Sequence, residues 1–205
     1  MDYSELEKSL NHFVKELSLP YEVNINTSND GKVLASFGHD RRITLYAKPL
    51  IKSATTHNWK KEDTFLLALC HEIGHASDPD FIKLNSKLSH IQTKFKEHRY
   101  ELVKFGRYSR SDFDKFHDIM DEYACIMKKL EQNAWEIGKK FVPASLLKQY
   151  EEDNIENYRY YDDYLEDVRS VGKVFYELRD NKVTLEKAME VYEAKLKILQ
   201  DIRKM

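Results

Sequence analysis

The stretch LLALCHEIGHASDP, residues 66–79, constrains the fold more than any other part of the chain, because it places two histidines and a glutamate in an apolar run. Residues four apart on a helix lie on one face, with Cβ atoms about 5–6 Å apart. His71 and His75 have this spacing, which suits two imidazoles bound to one zinc ion at about 2.0–2.1 Å. The alternative is a core helix whose histidines only hydrogen-bond to neighbours. The free-energy cost of burying unpartnered polar groups favours the metal-bearing helix.

Glu72 lies between the two histidines, where a carboxylate suits general acid and base chemistry. Such a group can accept a proton from a zinc-activated water and later give it to a leaving amine. Cys70 precedes His71 but points about 100° away on a helix, so we predict that it lies in the core.

The third ligand is expected elsewhere in the chain, because a catalytic zinc usually has three protein ligands. The metzincin continuation needs a glycine and a histidine where this chain has Asp78 and Phe81, which excludes that class. Between 111 and 143 apolar residues recur at helical spacing, and Glu131 falls at the edge of their arc. A lone carboxylate on an apolar face requires a metal or a cationic partner. Glu131 is therefore the predicted third ligand.

The sequence leaves several alternatives open around this site. Glu131 can instead pair with a Lys or Arg of a neighbouring helix. Asp78 can either hold a ligand histidine by a hydrogen bond or simply end the helix before Pro79. Three histidines in charged segments can replace Glu131 as ligand: His90, His98 and His117. Four tyrosines can donate to a developing oxyanion: Tyr46, Tyr100, Tyr108 and Tyr123.

HEIGH at 71–75, followed by a helix that contains EQNAW at 131–135, resembles the gluzincin zinc metallopeptidases. Within that class the chain is similar to the small ImmA/IrrE-like proteins of bacteria and their mobile elements, over about residues 20–143. Two features depart from the family pattern. Its Glu-x-Glu-Ala-Asn reads Glu-Gln-Asn-Ala-Trp in this chain, and Glu131 lies farther from His75 than in compact members.

The resemblance implies a zinc-dependent peptidase that acts on a specific intracellular protein, such as a regulator. It implies one Zn²⁺ per chain, held by His71, His75 and Glu131, with Glu72 as the catalytic acid and base. It also implies a short sheet before the zinc helix, in which the strand at 42–47, if it lies at an edge, binds an extended substrate by strand addition.

Hydrophobic periodicity predicts an α+β fold that is mostly helical. Ser4 and Glu7 form a capping-box pattern ahead of an amphipathic helix that ends at Pro20. Three runs then alternate with period two and predict a small antiparallel three-stranded sheet packed on the zinc-bearing helix. The runs, separated by turns at 30–31 and 38–40, are 21–26, 33–37 and 42–47.

The chain after residue 48 is predicted to be helical. The zinc helix should run from about Glu62 to Asp78, and later helices are expected at about 81–105, at 111–143, and from Ser145 onward with a break at 180–181. We predict a zincin-like metallopeptidase domain at 1–142. A helical C-terminal extension at 143–205 is expected to pack on the same core.

Composition excludes several classes of partner. The formal net charge is −2, so nothing favours nucleic acid. No stretch approaches the roughly 18 apolar residues of a membrane span. Two cysteines and the absence of a secretory signal pattern predict a soluble cytoplasmic protein with reduced thiols. The expected partner is a protein or peptide substrate.

A rival function is a regulatory binding protein in which the zinc helix is only a scaffold. Residues 150–180 carry ten acids, four bases and six tyrosines, and such helices can bind a partner. Glu72 separates the two functions, because a scaffold needs ligands but has no use for a general base beside them.

Overall fold

The computed structural model describes residues 1–28, 33–38, 40–105 and 110–179, with residues 187 and 190. The predicted α+β, mostly helical class is confirmed. The main elements in chain order are α1 (Tyr3–Glu16), β1 (Glu22–Asn26), β2 (Ala35–Phe37), β3 (Arg42–Tyr46), α2 (Ala47–His57), α3 (Lys61–Ser77), α4 (Phe81–Phe105), α5 (Arg110–Gly138) and α6 (Leu147–Arg179). Two short 3₁₀ helices, Lys139–Phe141 and Ala144–Leu146, lie between α5 and α6. The predicted turn at 30–31, part of the turn at 38–40, and the break at 180–181 fall outside the described residues.

The chain forms two compact units. The first contains Met1–Pro79 and Glu131–Asn154, and the second contains Asp80–Leu130 and the described part of Ile155–Asp201. The predicted division into 1–142 and 143–205 stays a prediction. In the part of the chain that the structure describes, no helix is both long and apolar enough to cross a membrane.

The start of α1 differs from the predicted capping box. Asp2 is the N-cap, and its Oδ1 accepts the backbone N–H groups of Ser4 at 2.9 Å and Glu5 at 3.3 Å. Ser4 therefore lies inside the helix, and the capping-box prediction is wrong. Glu7 instead connects α1 to the sheet, because its Oε2 accepts the backbone N–H of Ile25 on β1 at 2.7 Å.

The sheet is mixed, with strand order β1-β3-β2. The antiparallel prediction is correct for β2 and β3 but wrong for β1 and β3, which are parallel. The central strand is β3, whose Ile43 and Leu45 are fully buried. Alternation marks which face of a strand is buried and does not say which strand lies beside it, so the sequence could not distinguish these pairings.

The central position of β3 makes β1 and β2 the two edge strands of the sheet. Because β3 has a neighbour on both sides, the strand at 42–47 does not meet the condition of lying at an edge, which substrate binding by strand addition requires. The outer edge of β1 is covered by α1, where Asn11 both donates to the carbonyl and accepts the N–H of Val23. The other edge strand is β2, which packs against α3 together with β3.

The core of the first unit lies between the buried face of the sheet, α1, α2 and α3. Its buried residues are Leu6, Leu10, Val14, Val23, Ile25, Ile43, Leu45, Ala47, Leu50, Phe65, Leu69 and Ile73.

The helix α2 was not predicted as a separate element. This helix begins directly after β3 and carries Pro49 in its first turn, where a missing N–H breaks no helical hydrogen bond. It ends at His57, and its C-cap residue Asn58 lies in the left-handed region.

The second unit has an apolar cluster of its own. The cluster joins α4 to the first part of α5 and consists of Leu84, Leu88, Ile91, Ile126 and Leu130. An ion pair between Lys128 of α5 and Asp162 of α6 also lies in this unit.

The backbones of α3 and the end of α5 approach each other closely at two glycines. A Cβ on Gly74 would overlap the carbonyl group of Ala134 and lie 2.9 Å from the nitrogen of Gly138. A Cβ on Gly138 would lie 2.5 Å from the carbonyl oxygen of Cys70. Neither position therefore has room for a side chain.

The Gly74→Ala variant should be less stable than the wild type by about 1–3 kcal/mol, because a methyl group there forces the α5 backbone away from α3. Urea unfolding of the protein in the presence of EDTA measures the difference. Gly38→Ala is the matched control, since its nearest obstacle is the end of the Asp40 side chain, which can rotate. Equal stability of Gly74→Ala and wild type would contradict the close packing of the two backbones.

Candidate metal centre

The zinc-helix prediction agrees closely with α3, which runs from Lys61 to Ser77 and has Glu62 and Asp63 in its first turn. Acidic side chains at that end suit the helix dipole. His71 and His75 lie on one face, with ring centroids 4.7 Å apart and planes at 83°. Their side chains are only 15% and 11% exposed. The helix thus presents two largely buried imidazoles side by side.

Glu131 of α5 faces both histidines. Its Oε2 lies 3.3 Å from Nε2 of His71, and its Oε1 lies 3.7 Å from Nε2 of His75. Ligand atoms around a tetrahedral zinc ion, with bonds of about 2.0–2.2 Å, lie about 3.3–3.6 Å apart. The observed distances, one to each carboxylate oxygen, are close to this spacing, and one ligand atom from each residue lies within 4.8 Å of the others. Among the described side chains, these three form a group that can hold a metal ion.

The donor set also fits a transition metal chemically. Two imidazoles and one carboxylate are a common ligand combination for zinc. In both rings Nε2 faces the carboxylate, and the Nδ1 atom of His71 is buried without a hydrogen bond within the described structure. In this orientation Nε2 of each ring is the nitrogen that could bind an ion between the three side chains.

The charges in the group are strongly coupled. Burial lowers the pKa of His71, but the hydrogen bond and negative charge of Glu131 outweigh it, so the pKa ends above its usual value. Burial and the neighbouring His71 lower the pKa of His75 to about 4. His71 is thus the ring that more readily carries a proton, beside Glu131, and His75 is the ring that more readily stays neutral. Because an ion must displace that proton, metal affinity should fall as the pH decreases through the pKa of His71.

Glu72 is 7% exposed and lies within the same buried segment of α3. Burial raises the pKa of its carboxyl group to about 7, against the opposing effect of His71. Without a cation the carboxyl group therefore exchanges a proton near neutral pH. A cation bound nearby would lower its pKa below this raised value.

Two aromatic residues that the sequence analysis did not single out as functional support His71. The Trp135 ring lies 4.6 Å from the His71 ring, and Tyr150 of α6 lies 4.5 Å from Trp135. The Tyr150 hydroxyl donates to the carbonyl of Trp135 at 3.3 Å. Trp135 lies one turn after Glu131, so helical spacing could have identified it. Nothing in the local sequence indicates Tyr150.

Two hydrogen bonds fix the end of α3 near His75. Asn133 of α5 donates to Oδ2 of Asp78 at 2.9 Å, and the Tyr21 hydroxyl donates to the carbonyl of Ala76 at 2.9 Å. Asp78 is buried and is also the C-cap of α3. Its negative charge favours protonation of His75. Asp78 therefore ends α3, and the hydrogen bond between Asp78 and a ligand histidine stays a prediction.

The other candidates lie in different environments. His90 is exposed on α4. The Tyr46 hydroxyl shares a hydrogen bond with Ser36 at 3.2 Å, and Tyr123 packs against the apolar cluster of the second unit. Four side chains fall outside the described part of the structure: His98, Tyr100, Tyr108 and His117.

Comparison with known proteins gives no match to a protein-family model, a curated protein or a solved structure.

Purified protein should contain about one divalent transition-metal ion per chain, and Glu131→Gln should retain much less, because a neutral amide is a weaker ligand than a carboxylate. Elemental analysis after dialysis measures both. Glu136→Gln is the matched control, since Glu136 is exposed on the same helix. Full metal content in Glu131→Gln would contradict its role as a ligand.

The two cysteines should differ in reactivity toward a chromogenic disulfide reagent. Cys70 is buried, as predicted, and burial raises its pKa to about 12, so at pH 8 only about one molecule in 10⁴ carries the thiolate. Cys125 is exposed. One thiol per chain should react in native protein, and none in Cys125→Ser until it is unfolded. Rapid labelling of native Cys125→Ser would contradict the burial of Cys70.

Proposed function

We propose that this protein is a zinc-dependent metallopeptidase, in which His71, His75 and Glu131 hold the ion. The observation that carries the proposal is the position of Glu131, whose carboxylate oxygens lie 3.3 and 3.7 Å from Nε2 of the two histidines. Zinc is favoured by the ligand set of two imidazoles and one carboxylate. When bound, zinc supplies Lewis acidity that lowers the pKa of water and polarises a substrate carbonyl.

Glu72 is proposed as the general base and acid. Its carboxylate takes one proton from the attacking water as the water oxygen forms a bond to the scissile carbonyl carbon. The carbon–nitrogen bond then breaks, and Glu72 returns the proton to the leaving amine. The burial of Glu72 supports this role, because burial raises the pKa of its carboxyl group and so opposes the lowering by a nearby cation, and efficient proton transfer needs a group that titrates near the working pH.

The substrate is proposed to bind as an extended peptide along β2. This short strand is one edge of the sheet and packs against α3, which carries the zinc ligands. An edge strand can add a further strand through backbone hydrogen bonds. The role first assigned to the strand at 42–47 passes to β2, since β3 has strands on both sides.

The rival function is a zinc-containing binding protein without turnover. The burial of Glu72 beside the ligands argues against it, because a buried carboxyl group that serves no reaction adds a desolvation cost. The two functions make opposite predictions for a variant that keeps the metal and loses only the base.

Glu72→Gln should keep its metal content and its unfolding midpoint but lose turnover by about 10²–10⁴-fold, the usual contribution of a general acid or base. The measurement is mass spectrometry of a proteome-derived peptide library incubated with zinc-loaded protein. Glu62→Gln is the matched control, because Glu62 is exposed in the first turn of the same helix.

Cleavage products should appear with wild type and Glu62→Gln and disappear with Glu72→Gln. The same products from Glu72→Gln would refute its role as the base. A wild type that binds zinc but gives no products in the library would favour the binding protein.

A further inference from the structure

The Nδ1 atom of His71 is a buried polar atom on the side of the ring away from the candidate ligand position. It makes no hydrogen bond within the described structure, whereas Nε2 faces Glu131. When a metal binds Nε2, the ring proton is confined to Nδ1, which becomes a buried donor. Histidines that bind metals almost always donate this second N–H to a carboxylate, a carbonyl or water. His71 therefore needs an acceptor.

Three carboxylates of the first unit act electrostatically on His71: Glu131, Glu72 and Asp153. Glu131 lies at Nε2, and Glu72 is the neighbouring residue on the same helix, with a proposed role in proton transfer. The remaining carboxylate is that of Asp153, in the second turn of α6.

The packing around His71 points to the same residue. The His71 ring contacts Trp135, and Trp135 contacts Tyr150 of α6, with ring centroids 4.6 and 4.5 Å apart. Asp153 follows Tyr150 by three residues, so both lie on one face of α6. Tyr150 is 1% exposed, which shows that this face is turned into the unit.

The neighbours of Asp153 show that its position is specific. Three acids occur in a row, but Glu151 and Glu152 are exposed and only Asp153 is partly buried. On the same side of the helix, Gln149 Nε2 and Asn154 Oδ1 are buried without hydrogen bonds in the described structure. Buried polar atoms are usually hydrogen-bonded, so this face offers polar groups beside the apolar cluster that contains Tyr150.

We propose that Asp153 is a positioning residue of the metal centre, whose carboxylate accepts the Nδ1–H of His71 and so holds Nε2 on the ion. The proposal rests on the metal centre of the proposed function. It makes the start of α6 part of the site, although this segment lies beyond the stretch at 20–143 that resembles the gluzincins. The first two turns of α6 then contribute to metal binding.

The test is zinc affinity, measured by competition with a chromogenic chelator, for wild type, Asp153→Ala, Asp153→Asn and Glu152→Gln. Loss of such a partner typically weakens metal affinity about 10–100-fold, and Asp153→Ala should show this loss. Asp153→Asn should lose less, because its amide oxygen still accepts a hydrogen bond, although a weaker one than a charged acceptor makes. Glu152→Gln, the exposed neighbour, should stay within about twofold of wild type.

Two further measurements separate positioning from folding. The unfolding midpoint of each variant in EDTA should match wild type, and the proton on Nδ1 of His71 in the zinc-loaded protein should exchange with solvent faster in Asp153→Ala, as seen by NMR. Affinity of Asp153→Ala within twofold of wild type would overturn the role of Asp153 while leaving the metal centre intact. A wild type without measurable zinc affinity would instead overturn the metal centre itself, and the role of Asp153 with it.

Discussion

The close contact between the backbones of α3 and α5 determines the geometry of the site. Gly74 on α3 lies against the carbonyl of Ala134, and Gly138 on α5 lies against the carbonyl of Cys70. The two contacts are one helical turn apart on each helix, so they fix both the distance and the register of the pair. Glu131 precedes Ala134 by three residues and is therefore carried to the imidazoles that flank Gly74. A side chain at either glycine would separate the ligands.

The charges around this contact explain why so many ionisable groups can lie in an apolar helix. His71 and Glu131 form a coupled pair, and burial keeps His75 neutral and raises the pKa of Glu72. The negative charge of Glu131 offsets part of the desolvation of His71, and a cation between the ligands would offset more of the desolvation of the group. Apolar packing around Trp135 and Tyr150 excludes water from one side of His71, which strengthens every electrostatic interaction there.

Some features were incorrectly predicted or missed for identifiable physical reasons. Ser4 and Glu7 have capping-box spacing, but Asp2 competes successfully as the N-cap, and Glu7 instead bonds the edge of β1. The three strands were located correctly, yet alternation says nothing about neighbours, so the insertion of β3 between β1 and β2 was not foreseen. The role proposed for Asp153 had no local signal, since three acids in a row look equally exposed in the sequence.

The sequence by itself determined the helix with His71, Glu72 and His75, because spacing along one helix fixes which side chains share a face. It also indicated Glu131, since a carboxylate at the edge of an apolar arc needs a partner. Only the tertiary structure decided that Glu131 lies within ligand distance of both rings. It also decided that β2 is an edge of the sheet beside α3, and which face of α6 turns inward. Such placements depend on contacts between segments distant in the chain, and no local periodicity records them.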